Sequence, residues 1–323
     1  MALQNVWIIP LIGFIFGLLS MFVPYAIGVV GGRIDAIWPY ISDGGALPPE
    51  SCIFGQLLNL TAAFIALCMY LRHRQIVTFY WHLLHRDGRF WRRLSLALLF
   101  VGLFSSFCVS MVANFQESRA FSVHWTAAIV AFGVGLVYAW AQVAYSYVMQ
   151  PRMHHKALCH LRLLVCALAT AAAVQMFVAA RIRTCQKSAA NLTTSTTAGT
   201  TATTRKFPVH YEPGDVGYQA HLATTTGEWL LVLFFFVYML SYAYELRCFV
   251  LHAPKLELKR RNVVKLTEKH LGGKQQHVAP TTTAEHHASV HRVADESTIQ
   301  TDNSYANPVA DLNDDTPVTA TDF

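Results

Sequence analysis

Charge is what this chain has least of. Only 14% of its 323 residues are Asp, Glu, Lys or Arg, where water-soluble chains carry about 25%. With 54% hydrophobic residues, a soluble globular domain is excluded. Catalytic signatures are missing as well. No H-E-x-x-H, G-x-S-x-G, phosphate-cradling glycine loop or C-x-x-C occurs, so no catalytic residue, metal site or cofactor is expected. Histidine is abundant, but its spacing matches no metal site. No charged residue falls in the middle of a long apolar block, and ion pumps and channels usually need one there.

What is present is apolar sequence in uninterrupted blocks. Six of them, Trp7–Val30, Ile53–Leu71, Leu94–Asn114, Trp125–Met149, Leu161–Ala180 and Glu228–Leu251, are each about the 20 residues that cross a ~30 Å hydrocarbon layer. In lipid only a helix or a closed barrel satisfies its own backbone, and blocks apolar on every side are helices. The expected fold is all-α: a polytopic six-helix transmembrane bundle over residues 1–251, then a disordered tail over 252–323. The first block has no basic residue before it and outlasts a signal-peptide core, so it is expected to be retained.

Lys and Arg set the orientation. With both ends of the chain on one side, only Arg33, Arg119, Arg181, Arg183, Lys187, Arg205 and Lys206, seven of 25, fall on the other. That bias predicts cytosolic termini. Arg181 and Arg183, tight against the fifth block, are its weakest part. The sequon Asn191–Leu192–Thr193 opens a Thr-rich run to Thr204, which is expected to be lumenal, glycosylated at Asn191 and irregular. The tail has no apolar periodicity and cannot bury a core. Expected partners are membrane lipids and unidentified membrane or cytosolic proteins reached through loops and tail, with no nucleic acid.

On this topology the lumenal ends gather polar residues. Asp43 and Glu50 flank a turn-rich first loop; Asn114, Gln116 and Glu117 close the third block; His124 precedes the fourth and Glu228 opens the sixth. They form one acidic cluster around His124, or each carboxylate serves its own helix N-terminus; the residues alone leave both open. Of seven Cys, only Cys52 and Cys185 are lumenal and outside a block, and in an oxidising lumen a bridge between them is expected. Small-residue spacings at Gly13/Gly17 and Ala131/Gly135 predict close helix contacts.

Several motifs carry a family likeness. The first loop reads PYISDGGALPPES from Pro39 to Ser51, followed by Ile53–Phe54–Gly55. VANFQE follows at Val112–Glu117, VYAWAQVAYSY at Val137–Tyr147, CHLR at Cys159–Arg162 and GEW at Gly227–Trp229. Together they resemble the DRAM (damage-regulated autophagy modulator) proteins, within a wider membrane family that includes the fungal Sfk-type proteins. The chain departs at Gly44, where those relatives carry Thr, and in its Thr-rich loop and long tail. The resemblance implies a non-enzymatic lysosomal or late endosomal protein that modulates autophagy, with a link to stress-induced cell death. The wider family also implies a plasma-membrane scaffold for a phosphatidylinositol 4-kinase. A lipid-modifying or lipid-carrying protein using the lumenal cluster is the third reading. The motif residues Ser42, Asp43, Pro48, Pro49, Glu50, Asn114, Gln116, Glu117 and Glu228 coincide with that cluster; the resemblance assigns them no chemistry.

Overall fold

The computed structural model describes residues 2–83, 89–149, 155–194 and 210–252. The expected polar tail and most of the Thr-rich run lie outside them. Among the described residues six helices are long and apolar enough to cross a membrane: α1 (Ile8–Val30), α2 (Glu50–Val77), α3 (Arg89–Asn114), α4 (Phe121–Val148), α5 (Lys156–Thr194) and α6 (Tyr218–Leu240). A short α7 (Tyr242–Leu246) continues α6. The helices run past the apolar blocks: α2 starts at Glu50, α4 at Phe121, and α6 at Tyr218, ten residues before Glu228. Helical hydrogen bonding does not stop where hydrocarbon does, so polar first turns extend several of these helices.

The bundle is a ring with unequal seams. α1 packs on α2, α2 on α3, α3 on α4 and α5 on α6 along their lengths, whereas α4–α5 and α1–α6 meet more thinly. Cys68, Ala139, Val143, Cys166, Tyr238 and Met239, from α2, α4, α5 and α6, share one buried cluster. Phe100, Phe104 and Phe107 stay exposed along α3, a pattern that suits lipid and not water. Two short strands, β1 (Ala2–Leu3) and β2 (Leu251–His252), pair antiparallel. Residues before α1 and after α7 therefore share one face of the bundle, here termed the termini face. The α1–α2, α3–α4 and α5–α6 connections occupy the opposite, loop face.

Candidate functional site

On the loop face, the first loop joins α1 to α2. A single 3-10 turn, Ile41–Gly45, is locked from within: the Tyr40 backbone N–H donates to Asp43 Oδ2 at 2.9 Å and the Asp43 N–H to the Tyr40 carbonyl at 3.2 Å. Asp43 thus serves its own turn. Gly45 has to be Gly here, because a Cβ would lie 2.7 Å from the Phe54 ring.

The loop is then tied to the bundle from several sides. Ser42 Oγ donates to Glu117 Oε2 at 2.6 Å, and the Ile41 N–H donates to Glu228 Oε2 at 3.2 Å. Trp229 Nε1 donates to the Pro39 carbonyl at 2.9 Å, while its ring meets Phe22, Tyr25 and Trp38. Gly227, one residue earlier, lets α6 touch α5 backbone to backbone: a Cβ would sit 2.9 Å from the Ala172 carbonyl and the Met176 nitrogen. Each letter of GEW therefore has a job, one holding α5 and two holding the loop.

The expected cluster separates into parts. Ser42, Glu117, His124 and Glu228 share one pocket. His124 is 5% exposed in the first turn of α4, and its Nδ1 lies 2.7 Å from the Phe115 carbonyl. A carbonyl only accepts, so Nδ1 carries the proton. Glu50 is buried apart from this group and pairs with Arg33 at the end of α1, because it opens α2 on the side facing the α1 terminus. Pro48 and Pro49 lead into α2. Asn114 bonds Asn59 across α2–α3 at 2.9 Å, and Gln116 Nε2 donates to Ser51 Oγ at 2.9 Å. The first ties α2 to α3, and the second ties α2 to the α3–α4 connection.

One expectation is corrected. Cys52 and Cys185 are both free and exposed. Cys52 sits on α2, which packs on α1 and α3, whereas Cys185 sits on α5, which packs on α6 and α4, so the two thiols belong to different sides of the ring. Asn191 falls in the last turn of α5. Among the described residues no group of three or more His, Cys, Asp or Glu is placed to hold a metal.

Two groups escaped the sequence reading. Arg183, counted there only as a topological anomaly, donates from Nη1 to the Tyr40 hydroxyl at 2.8 Å and lies 3.3 Å from His221 Nδ1. Tyr211 stacks on His221 at 3.8 Å, and Asp35 accepts from the Tyr211 N–H at 2.9 Å. The α5–α6 connection is thereby pinned to the first loop. Burial pushes the Tyr40 phenol well above its ordinary range, against the pull of Arg183, so it remains a neutral donor and acceptor.

The second group lies toward the termini face. Arg72 and Arg162, which the charge count places on the cytosolic side, are 2% and 1% exposed and converge on buried Glu245. Arg162 Nη1 reaches Glu245 Oε1 at 2.6 Å, Gln75 Nε2 reaches Glu245 Oε2 at 2.9 Å, and Arg72 Nε donates to Gln142 at 3.2 Å. The signal was Glu245, an acid well inside the sixth block, with CHLR ending in Arg162.

Comparison with known proteins gives a consistent answer. Residues 5–249 match the family described as Frag1/DRAM/Sfk1/Cwh43P N-terminal domain. DNA damage-regulated autophagy modulator protein 2 of Bos taurus is 34% identical over 218 residues, 68% of this chain and 75% of that protein. DNA damage-regulated autophagy modulator protein 1 of Homo sapiens is 30% identical over 223 residues, 69% and 83% of the two chains. Modulator of macroautophagy TMEM150B of Danio rerio is 31% identical over 173 residues, 53% and 71%. No solved structure matches. A six-helix membrane bundle, a first loop strapped down by Glu228 and Trp229, and this match from before α1 to beyond α7 place the chain in the Frag1/DRAM/Sfk1/Cwh43P family.

Proposed function

We propose that this protein is a non-enzymatic modulator of autophagy in a lysosomal or late endosomal membrane, with both termini cytosolic, a glycan on Asn191 and a link to stress-induced cell death. The observation that carries the reading is the set of similar proteins named as autophagy modulators, whose likeness covers about two thirds of the chain. The loop-face geometry agrees with a binding or regulatory role. Ser42–Glu117, Ile41–Glu228 and Trp229–Pro39 are hydrogen-bonded pairs, which rigidifies this surface.

The test is to tag the protein at its C-terminus, locate it against lysosomal and plasma-membrane markers, and measure autophagic flux after depletion in starved cells. Lysosomal signal with reduced flux is the expected result. Residence at the plasma membrane with unchanged flux would reject this reading in favour of a scaffold at that membrane.

A further inference from the structure

Two chambers, of about 150 and 130 Å³, share Ser42, His124, Ala128, Phe132 and Glu228 in their linings and so adjoin as one candidate passage. We propose that this passage binds a single-chain lipid with a small hydrogen-bond-donating head, a hydroxyl or an ammonium. The head lies at the shared residues and the chain in the inner chamber. The inference rests on the cavity and its chemistry and is independent of the cellular role above.

Shape argues for one chain. The inner chamber is lined on α4 from His124 to Ala139, roughly 20 Å of helix at 1.5 Å per residue. An apolar cavity near 150 Å³ takes about one benzene-sized group when compact. The same volume drawn out over that length is a narrow tube, suited to a flexible alkyl chain and too thin for a fused ring system. Two of its hydroxyls are already used: Ser20 Oγ donates to the Gly17 carbonyl at 2.8 Å and Ser105 Oγ to the Ala131 carbonyl at 2.9 Å. The wall it offers is mostly hydrocarbon, with Tyr138 among its lining.

The junction has the opposite character, and it is built from acceptors. His124 donates its Nδ1 proton to the Phe115 carbonyl, which leaves Nε2 on the other side of the ring to meet a ligand, and the residue lines both chambers. Glu228 lines both as well and receives the Ile41 N–H on Oε2 alone among its described bonds. A donor head completes these groups; a carboxylate head meets Glu228 and Glu117. Arg183, the cation at the outer chamber, aims Nη1 at Tyr40, Tyr211 and His221.

Access is also visible. The outer chamber lies between α4 and α5, one of the two thin seams of the ring, and exposed Phe121, Trp125 and Phe177 flank it. Such aromatics sit at the membrane interface, where a lipid head would enter.

The experiment uses the full chain in nanodiscs and three photoreactive, alkyne-tagged probes with the same chain: a monoacylglycerol, sphingosine and a fatty acid. Crosslinks are mapped by mass spectrometry and competed with a large excess of each untagged lipid. The expected result is labelling of chamber-facing α4 and α6 residues, reduced at least fivefold by untagged monoacylglycerol or sphingosine and much less by the fatty acid. Competition by only one of the two names the head. Ala128→Phe, which fills the junction, should cut labelling to a similar degree. Labelling confined to the outer surface around Phe100 to Phe107 overturns the proposal. So does equal competition by the fatty acid, or undiminished labelling of an Ala128→Phe protein that retains the wild-type melting temperature.

Discussion

Glu228 and Trp229 reach the same short stretch of backbone from adjacent positions on α6, and their bonds can be removed one at a time. Trp229→Phe keeps a ring against Tyr25 and Trp38 and deletes the indole donor to the Pro39 carbonyl. A hydrogen bond of this kind contributes about 1 kcal/mol net, so amides of residues 40–46 should exchange roughly fivefold faster. Glu228→Ala, which removes the acceptor of the Ile41 N–H, should act in the same direction, and Glu228→Gln, which retains an acceptor, should act much less. Exchange unchanged in both Trp229→Phe and Glu228→Ala would mean the loop is held by something else. These residues were legible in the sequence because a motif flagged them. Arg72 was not, and CHLR flagged Arg162 without its role: a basic residue at a helix end reads the same whether it snorkels to water or turns inward onto an acid.

Between elements, close backbone approach and buried charge set the packing. The Cβ of Gly227→Ala would meet two backbone atoms of α5, Ala172 O and Met176 N, each at 2.9 Å. Backbone cannot swing aside as a side-chain tip can, so overpacking of about 1–3 kcal/mol is expected. It would appear as a lower melting temperature in nanodiscs, larger for Gly227→Val than for Gly227→Ala. Glu245→Gln should be more damaging, since removing one partner of a buried ion pair costs about 3–5 kcal/mol and here leaves Arg72 and Arg162 without the carboxylate they converge on. A melting temperature matching wild type would show that the two guanidiniums have another counter-charge. The small-residue spacing at Gly13 and Gly17 does mark a contact, as expected: Phe64 of α2 and Phe236 of α6 press against those positions. The identity of those neighbours was not legible, because spacing along one helix says nothing of which helix lies across from it.

At the scale of the whole molecule, helix number and class followed from apolar block length alone. Helix extents did not, because α5 runs to Thr194 and α6 starts at Tyr218, in polar sequence that hydropathy assigns to loops. The expected Cys52–Cys185 bridge fails for a related reason: chain order places both thiols at one membrane face but not on one side of the ring. The longer α5 bears on topology, since its extra turns carry Asn191 roughly 15 Å past Arg181 at 1.5 Å per residue. The orientation proposed above puts the strapped loop face in the lumen and the β1–β2 face in the cytosol. It is tested most directly by expressing wild type and Asn191→Gln in a eukaryotic cell and treating sealed microsomes with protease, then with endoglycosidase. The account predicts a glycan shift that Asn191→Gln abolishes, with a C-terminal tag digested from outside. A wild-type chain without glycan, its tag protected and its α5–α6 connection cut in intact vesicles, would contradict it.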